Sequence, residues 1–260
     1  MRLYMIPDAS RLEDSLALSA SEDLGFEYND FFDPELLDYP AALDQRVRLY
    51  ERLNRRGDTL HGAFYDIVLD SSDPEIRKIS ERRVRQSLEI AQRLCCRAVV
   101  FHTNYVVWMA RNPAYRQRWT EMCASAYRRF ADAYPELNIY IENMFDDSPD
   151  MLASLMAQTD HERVSVCLDV AHAALSPVPL ETWFEKLSPY IRHLHLNDND
   201  LVFDSHETIG QGRIDYRKVF AQIPKLPGDT TALIEISDLQ KTADSIRYIR
   251  EGYNLGHSSS

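Results

Sequence analysis

Five short apolar runs in this chain each end on a side chain that can bind a metal or move a proton. Ala98-Val99-Val100-Phe101 leads to His102, Ile139-Tyr140-Ile141 to Glu142, Val166-Cys167-Leu168 to Asp169, Leu194 to His195, and Leu233-Ile234 to Glu235. Four more donors, His61, His172, Asp204 and His206, stand at the end of another such run or in the segments that follow these. A single buried histidine is more often a hydrogen-bonded core group than a ligand. Nine nitrogen and oxygen donors with no thiolate, at matching places along the chain, instead describe a site for Zn²⁺, Mn²⁺ or a similar divalent ion.

The elements that must position these groups follow from the same spacing. Short β-branched runs separated by helical stretches read as buried parallel strands in repeated βα units, and such a sheet can close into a barrel. In a (β/α)8 barrel the functional groups come from the C-terminal ends of several strands, so a polar residue after each run points to one mouth. The steps between the five end residues are 40, 27, 26 and 40 residues. A barrel of about 250 residues has roughly 30 per unit, so the shorter steps fit one unit and the longer ones a unit with an extended loop.

Eight strands are predicted: Leu3 to Ile6, Gly25 to Tyr28, Thr59 to Phe64, Ala98 to His102, Asn138 to Glu142, Val164 to Asp169, Ile191 to His195 and Ala232 to Glu235. Between Asp73 and Leu94, Val84, Leu88, Ala91 and Leu94 recur at helical spacing, while Arg77, Glu81, Arg85 and Glu89 take the outer face. Asp73-Pro74-Glu75 places an N-cap before a proline, and Ser148-Pro149-Asp150 repeats the device. No linker or shift in composition divides the chain. The expected architecture is an α/β protein, a single-domain (β/α)8 TIM barrel over residues 1–260, folded to 255 with a frayed polar tail over 256–260.

Composition narrows the function classes. The chain has 260 residues, 45% hydrophobic and 27% charged, as in an ordinary soluble enzyme, and no apolar run approaches a membrane span. Met1 to Asp8 shows no extended apolar segment with a small-residue cleavage site, so the cytoplasm is the expected compartment. Cys95, Cys96, Cys123 and Cys167 have no CxxC spacing and are expected to pack rather than to bind zinc or form disulfides. Forty-one acidic residues against 29 basic give a net charge of −12. A net anion repels polyanions, so nucleic acid is not an expected partner. A homo-oligomer is compatible with the sequence.

Three segments carry the sharpest local signals. In Cys167-Leu168-Asp169-Val170-Ala171-His172, aspartate ends a strand and histidine follows one helical turn later, so both can face one point. The plainer alternative makes Asp169 an N-cap and His172 a surface residue of the first turn. In Arg192-His193-Leu194-His195-Leu196-Asn197-Asp198, period two puts both histidines on one face, with His195 the ligand candidate and His193 an interior residue. Asp204 to Asp215 contains Gly210-Gln211-Gly212, too short for a dinucleotide fingerprint and better read as a turn aiming Asp204 and His206 at the site. The long loop after His102 carries Tyr105 and Trp108, which either cover a bound ligand or pack beneath the loop, and Tyr65 is open to the same two readings.

From about Leu60 to Ser237, and most closely in IENMF, CLDVAH, HLHLND, IGQGRID and ALIE, the chain resembles the xylose-isomerase-like barrels, which include sugar isomerases, sugar epimerases and apurinic-site endonucleases. The resemblance implies that Glu142, Asp169, His195 and Glu235 bind one divalent ion, Zn or Mn, with Glu142 and Glu235 as the acid/base pair. The endonuclease branch holds three zinc ions, and its pattern is matched by His61, His102, Glu142, Asp169, His172, His195, Asp204, His206 and Glu235. The epimerases often carry an arginine near the Gly-x-Gly turn; here Asp204-x-His206 precedes it and Arg213 lies inside it. The expected function is a metal-dependent isomerase or epimerase of a small sugar or sugar phosphate in carbohydrate metabolism. His172, Arg213, Trp108 and Tyr105 are the candidate substrate contacts. The alternative is a multinuclear zinc phosphoesterase acting on DNA or a small phosphate ester.

Overall fold

Continuous apolar runs become strands buried along their whole length: all five residues from Ala98 to His102 and all six from Val164 to Asp169 are buried. That is the pattern of parallel strands covered on both faces, rather than the alternation of a half-exposed sheet. The computed structural model describes residues 1–64 and 66–257. Its strands are β1 (Arg2–Met5), β2 (Gly25–Tyr28), β3 (Thr59–His61), β4 (Ala98–His102), β5 (Asn138–Glu142), β6 (Val164–Asp169), β7 (Ile191–Leu196) and β8 (Thr231–Ile234). Helices α1 (Leu12–Glu22), α2 (Pro34–Asp38), α3 (Pro40–Glu51), α4 (Pro74–Arg93), α5 (Pro113–Ala133), α6 (Asp150–Thr159), α7 (Val170–Leu175), α8 (Leu180–Leu187), α9 (Tyr216–Phe220) and α10 (Leu239–His257) alternate with them. The strands pair in chain order and close into a barrel, the (β/α)8 architecture expected from the sequence.

By internal contacts the chain sorts into two compact units, each assembled from separate stretches of sequence. One comprises residues 27–142 and 150–166. Here β3 pairs with β4 and β4 with β5, both parallel, with His102 opposite Glu142 in the ladder. Helix α4 starts as its sequence predicts: the Asp73 carboxylate accepts the Glu75 N–H at 2.8 Å and Pro74 takes the first helical position. Val84, Leu88 and Ala91 are fully buried along its inner stripe. Arg83, also buried, escapes the cost of an unpaired charge by a bidentate pair with Asp38, both contacts at 2.7 Å.

The other unit comprises residues 1–26, 143–149 and the chain from 167 onward. Strand β1 lies between β2 and β8, and β8 pairs with β7, again parallel. Trp183 of α8 is fully buried, with its indole N–H donating to Ser176 Oγ at 2.9 Å.

Strand ends differ from expectation in four strands. β1 begins and ends one residue earlier, β3 stops at His61 rather than Phe64, β7 runs one residue further to Leu196, and β8 begins at Thr231 and stops at Ile234, so Glu235 stands just past its strand. The Ile236 N–H turns back to Ile234 O at 2.9 Å, which takes the chain out of the ladder there. Gly256 and His257, expected in a frayed tail, belong to α10, whose upstream Ile246 and Ile249 are buried and anchor it. Residues 258–260 and Tyr65 lie outside the described residues. Cys96, Cys123 and Cys167 are buried as expected, but Cys95 is exposed in a left-handed turn after α4. Among the described residues no helix is long and apolar enough to cross a membrane.

Leu88 is a sensitive probe of the α4 interface. Leu88→Ala removes a fully buried side chain and is expected to cost about 2–5 kcal/mol, read as a lowered urea midpoint with an unchanged slope.

Candidate metal centre

In the unit containing residues 27–142, three strand ends converge. Parallel neighbours lie about 4.8 Å apart, so ladder partners on one face bring their side chains together. His102 and Glu142 are direct partners, and His61 is opposite Val100, two residues back on the same face as His102. His61 Nε2 lies 3.5 Å and His102 Nε2 3.4 Å from Glu142 Oε2, and the two ring nitrogens are 3.2 Å apart. His61 Nδ1 contacts Gly62 O at 3.1 Å, which assigns the proton to that nitrogen and presents the Nε2 lone pair to the cluster. The Phe64 ring packs against both imidazoles, with centroids 5.0 and 4.8 Å away. Glu142 is fully buried, and a carboxylate there requires positive charge nearby.

In the other unit the donors gather on β6, α7, β7 and the loops after β7 and β8. Asp169 is the N-cap of α7, its Oδ1 accepting the His172 N–H at 2.5 Å. The plain capping role is therefore real, but His172 is buried at 5% exposure rather than lying on the surface. Asn143 braces the pair: its amide donates to Asp169 O and accepts from Asp169 N–H, both at 2.9 Å, while its backbone oxygen receives His172 Nδ1–H at 2.9 Å. His172 Nε2 is thereby turned to Asp204 Oδ2 at 3.0 Å. His206 Nε2 reaches the same oxygen at 3.1 Å, and its Nδ1 is held by Glu235 O at 2.7 Å. To do so His206 adopts a left-handed backbone with φ 48°, uncommon for a residue other than glycine.

Electrostatics link these last groups. Burial opposes ionisation of Asp204, but hydrogen bonds and charge from His172 and His206 outweigh it and hold the carboxyl well below its usual range. Burial likewise opposes the charged form of His206, yet Asp204 and Glu235 push it up to about 10. Asp204 Oδ1 is buried with no hydrogen bond among the described residues. His195, fully buried, has Nδ1 3.4 Å from Glu235 Oε1, and Asn197 Nδ2 approaches Glu235 Oε2 at 3.4 Å. His193 is interior as expected, bonded to Thr231 Oγ1 at 2.6 Å with its ring edge-on to His195.

These residues fit a divalent ion. Metal-binding histidines usually give one ring N–H to a backbone carbonyl so that the other nitrogen is free to ligate. His61, His172 and His206 are all held in that way, with Nε2 aimed at carboxylates or at a second imidazole.

The expected substrate contacts separate. Trp108 is 72% exposed, whereas Tyr105 is buried with its ring edge-on to Trp119 at 5.5 Å, so it packs beneath its loop instead of covering a ligand. Arg213 is exposed, and its backbone N–H donates to Asn199 O. A groove of about 300 Å³ opens beside His172 and Asp204, lined by Phe145, Phe203, Val202, Leu175, Ser176, Pro177, Asp146 and Asp147, with no lysine or arginine. Sequence reasoning missed Phe145, Phe203 and the bracing amides Asn143 and Asn197. The signal for the amides was an asparagine immediately after Glu142 and one shortly after His195.

Residues 18–252 match the family described as xylose isomerase-like TIM barrel. An uncharacterised protein of Methanocaldococcus jannaschii is 28% identical over 251 residues, covering 84% of this chain and 94% of that protein. Fructoselysine 3-epimerase of Escherichia coli O157:H7 is 25% identical over 174 residues, 63% of this chain and 60% of that enzyme. The structure of a Thermus thermophilus protein, TTHB071, soaked with ZnCl2, superposes with a TM-score of 0.79 at 24% identity, covering 99% of this chain and all of that one. With a match across nearly its whole length, the chain belongs to the xylose isomerase-like TIM barrel family.

Proposed function

We propose that the protein is a divalent-metal-dependent isomerase or epimerase of a small sugar. The observation that carries this reading is the groove beside His172 and Asp204. Its aromatic and aliphatic walls suit the C–H faces of a polyol, and its carboxylates, without a lysine or arginine, disfavour a substrate that presents phosphate there. The family membership and the fructoselysine 3-epimerase relative support the same class.

Glu142, Asp169, His195 and Glu235 would hold the ion central to the reaction, with His61 and His102 beside Glu142. Bound metal would supply Lewis acidity at the substrate carbonyl and so acidify the neighbouring C–H. Glu142 and Glu235, at barrel strands three apart in order, are the proposed acid/base pair. One carboxylate takes the proton from the carbon next to the carbonyl, and a carboxylic acid returns a proton. Return to the other face of the same carbon gives an epimer; return to the adjacent carbon gives an isomer. The Asn197 amide donates toward Glu235 Oε2 and helps fix where that carboxylate points.

One observation favours a second reading. The His172, Asp204 and His206 group is a third set of donors that a one-metal isomerase does not require. A multinuclear phosphoesterase acting on a small ester would use it to bind a further ion. The net charge of −12 and the lack of lysine or arginine among the described residues of the groove weigh against DNA as its substrate.

Incubation of Mn- or Zn-loaded protein in D2O with unphosphorylated ketoses and aldoses, and in parallel with sugar phosphates, separates the readings. Deuterium at the carbon next to the carbonyl, seen by NMR, is expected; release of phosphate from sugar phosphates without such exchange would support the phosphoesterase instead. Glu142→Gln and Glu235→Gln are each expected to slow exchange by about 10²–10⁴-fold, measured on protein shown to be folded. Metal analysis of purified protein supplies an independent check. His206→Ala is expected to lower the zinc content while leaving metal bound by the remaining donors, and loss of all metal in this variant would contradict the assignment of separate donor sets.

A further inference from the structure

The loop that carries Asp204 and His206 leaves β7 and returns to it, and one buried side chain holds both ends. Asp198, fully buried, follows β7 by two residues. Its backbone pairs in both directions with Glu207, the Asp198 N–H donating to Glu207 O at 3.0 Å and the Glu207 N–H to Asp198 O at 2.7 Å. Its carboxylate then accepts three backbone N–H groups: Asn199 at 2.9 Å and Ile214 at 3.1 Å on Oδ1, and Gly210 at 2.9 Å on Oδ2. The outgoing strand of the loop and the returning Gly210 to Ile214 turn are thus tied to one anion.

The turn is shaped to approach that anion. Gly210 has φ +86°, a conformation that L side chains rarely adopt. A Cβ on Gly212 would lie 2.2 Å from Asp198 Oδ1 and 2.5 Å from Asn199 O, so only glycine lets the backbone come this close. Between the two tied ends lies the segment from Asp200 to His206, in which Asp200 accepts the Val202 and Phe203 N–H groups, both at 2.9 Å. Asp204 and His206 therefore sit on a closed loop whose neck is Asp198.

We infer that Asp198 is a positioning residue: its carboxylate sets the neck of the loop and thereby the placement of Asp204 and His206 against His172. This rests on the reading of those three as metal ligands. A carboxylate is required because all three groups facing it are donors, and an ionised carboxylate is an acceptor only. An asparagine would turn its NH2 toward at least one backbone N–H and leave that donor unsatisfied in a fully buried place. A reporter of global stability alone would not single out one donor set, so the inference is tested on selective metal binding and on local opening.

The experiment uses full-length Asp198→Asn and Gly212→Ala, with zinc as the probe in chelator competition and hydrogen exchange on the metal-free protein. Both variants are expected to bind one zinc equivalent about 10–100-fold more weakly, the scale of loss for residues that orient metal ligands, while the other equivalents are unchanged. In the metal-free state, peptides covering residues 199–214 are expected to exchange faster than in the wild type, with β3 to β6 unaltered. Wild-type zinc affinity together with unchanged exchange of this loop in a folded variant would overturn the inference. If Asp198→Asn does not fold, Gly212→Ala decides it by the same readouts. If the wild type binds no zinc, the metal reading falls, and the exchange of residues 199–214 still decides whether Asp198 clamps the loop.

Discussion

The arrangement depends on compensating buried negative charge. Glu142, Asp169 and Glu235 are each less than a tenth exposed at or just beyond the ends of barrel strands. Taking a carboxylate out of water costs several kcal/mol unless positive charge or donors replace the lost hydration. The chain supplies imidazoles for this purpose rather than lysine or arginine: His61 and His102 at Glu142, His195 at Glu235, and His172 and His206 at Asp204. An imidazole can meet the need as a cation or, when neutral, by sharing a metal ion with the carboxylate. Such a site gives up a proton when it gains a cation, whereas a guanidinium could not.

The backbone decides which nitrogen does this. Carbonyls of Gly62, Asn143 and Glu235 each hold the Nδ1 of a histidine, so three Nε2 atoms project into donor clusters without relying on the flexibility of the rings. Asn143 directly follows Glu142, and Glu235 is itself a candidate ligand. The segment that presents one candidate ligand therefore orients another, and strand register, loop closure and protonation become a single constraint. The left-handed backbone at His206 shows what is given up locally to satisfy it.

Much of this was legible because a parallel barrel writes its active end into the sequence. An apolar run followed by His or an acid marks a strand end, and His102, Glu142 and Asp169 are the last residues of β4, β5 and β6. At Asp169 the capping role is realised through Oδ1, while His172, a surface residue on that plain alternative, is carried inward by the same turn. What could not be read were the contributions of residues whose side chains serve the backbone. Asn143 and Asp198 look like turn-formers in sequence, and only tertiary distances show them gripping strand ends and loop necks. Direction within loops was equally hidden: Tyr105 and Trp108, three residues apart, have the same chemistry on paper, yet one packs on Trp119 and the other faces solvent.

The most direct test of histidine and carboxylate clusters as cation sites is anomalous diffraction at the zinc edge from crystals soaked in zinc. Peaks are expected within about 2.0–2.2 Å of the proposed His and carboxylate donors, one for the central ion proposed at Glu142, Asp169, His195 and Glu235 and one for the further ion proposed at His172, Asp204 and His206. Anomalous density confined to surface residues, with these side chains unchanged and free of metal at saturating zinc, would contradict the assignment.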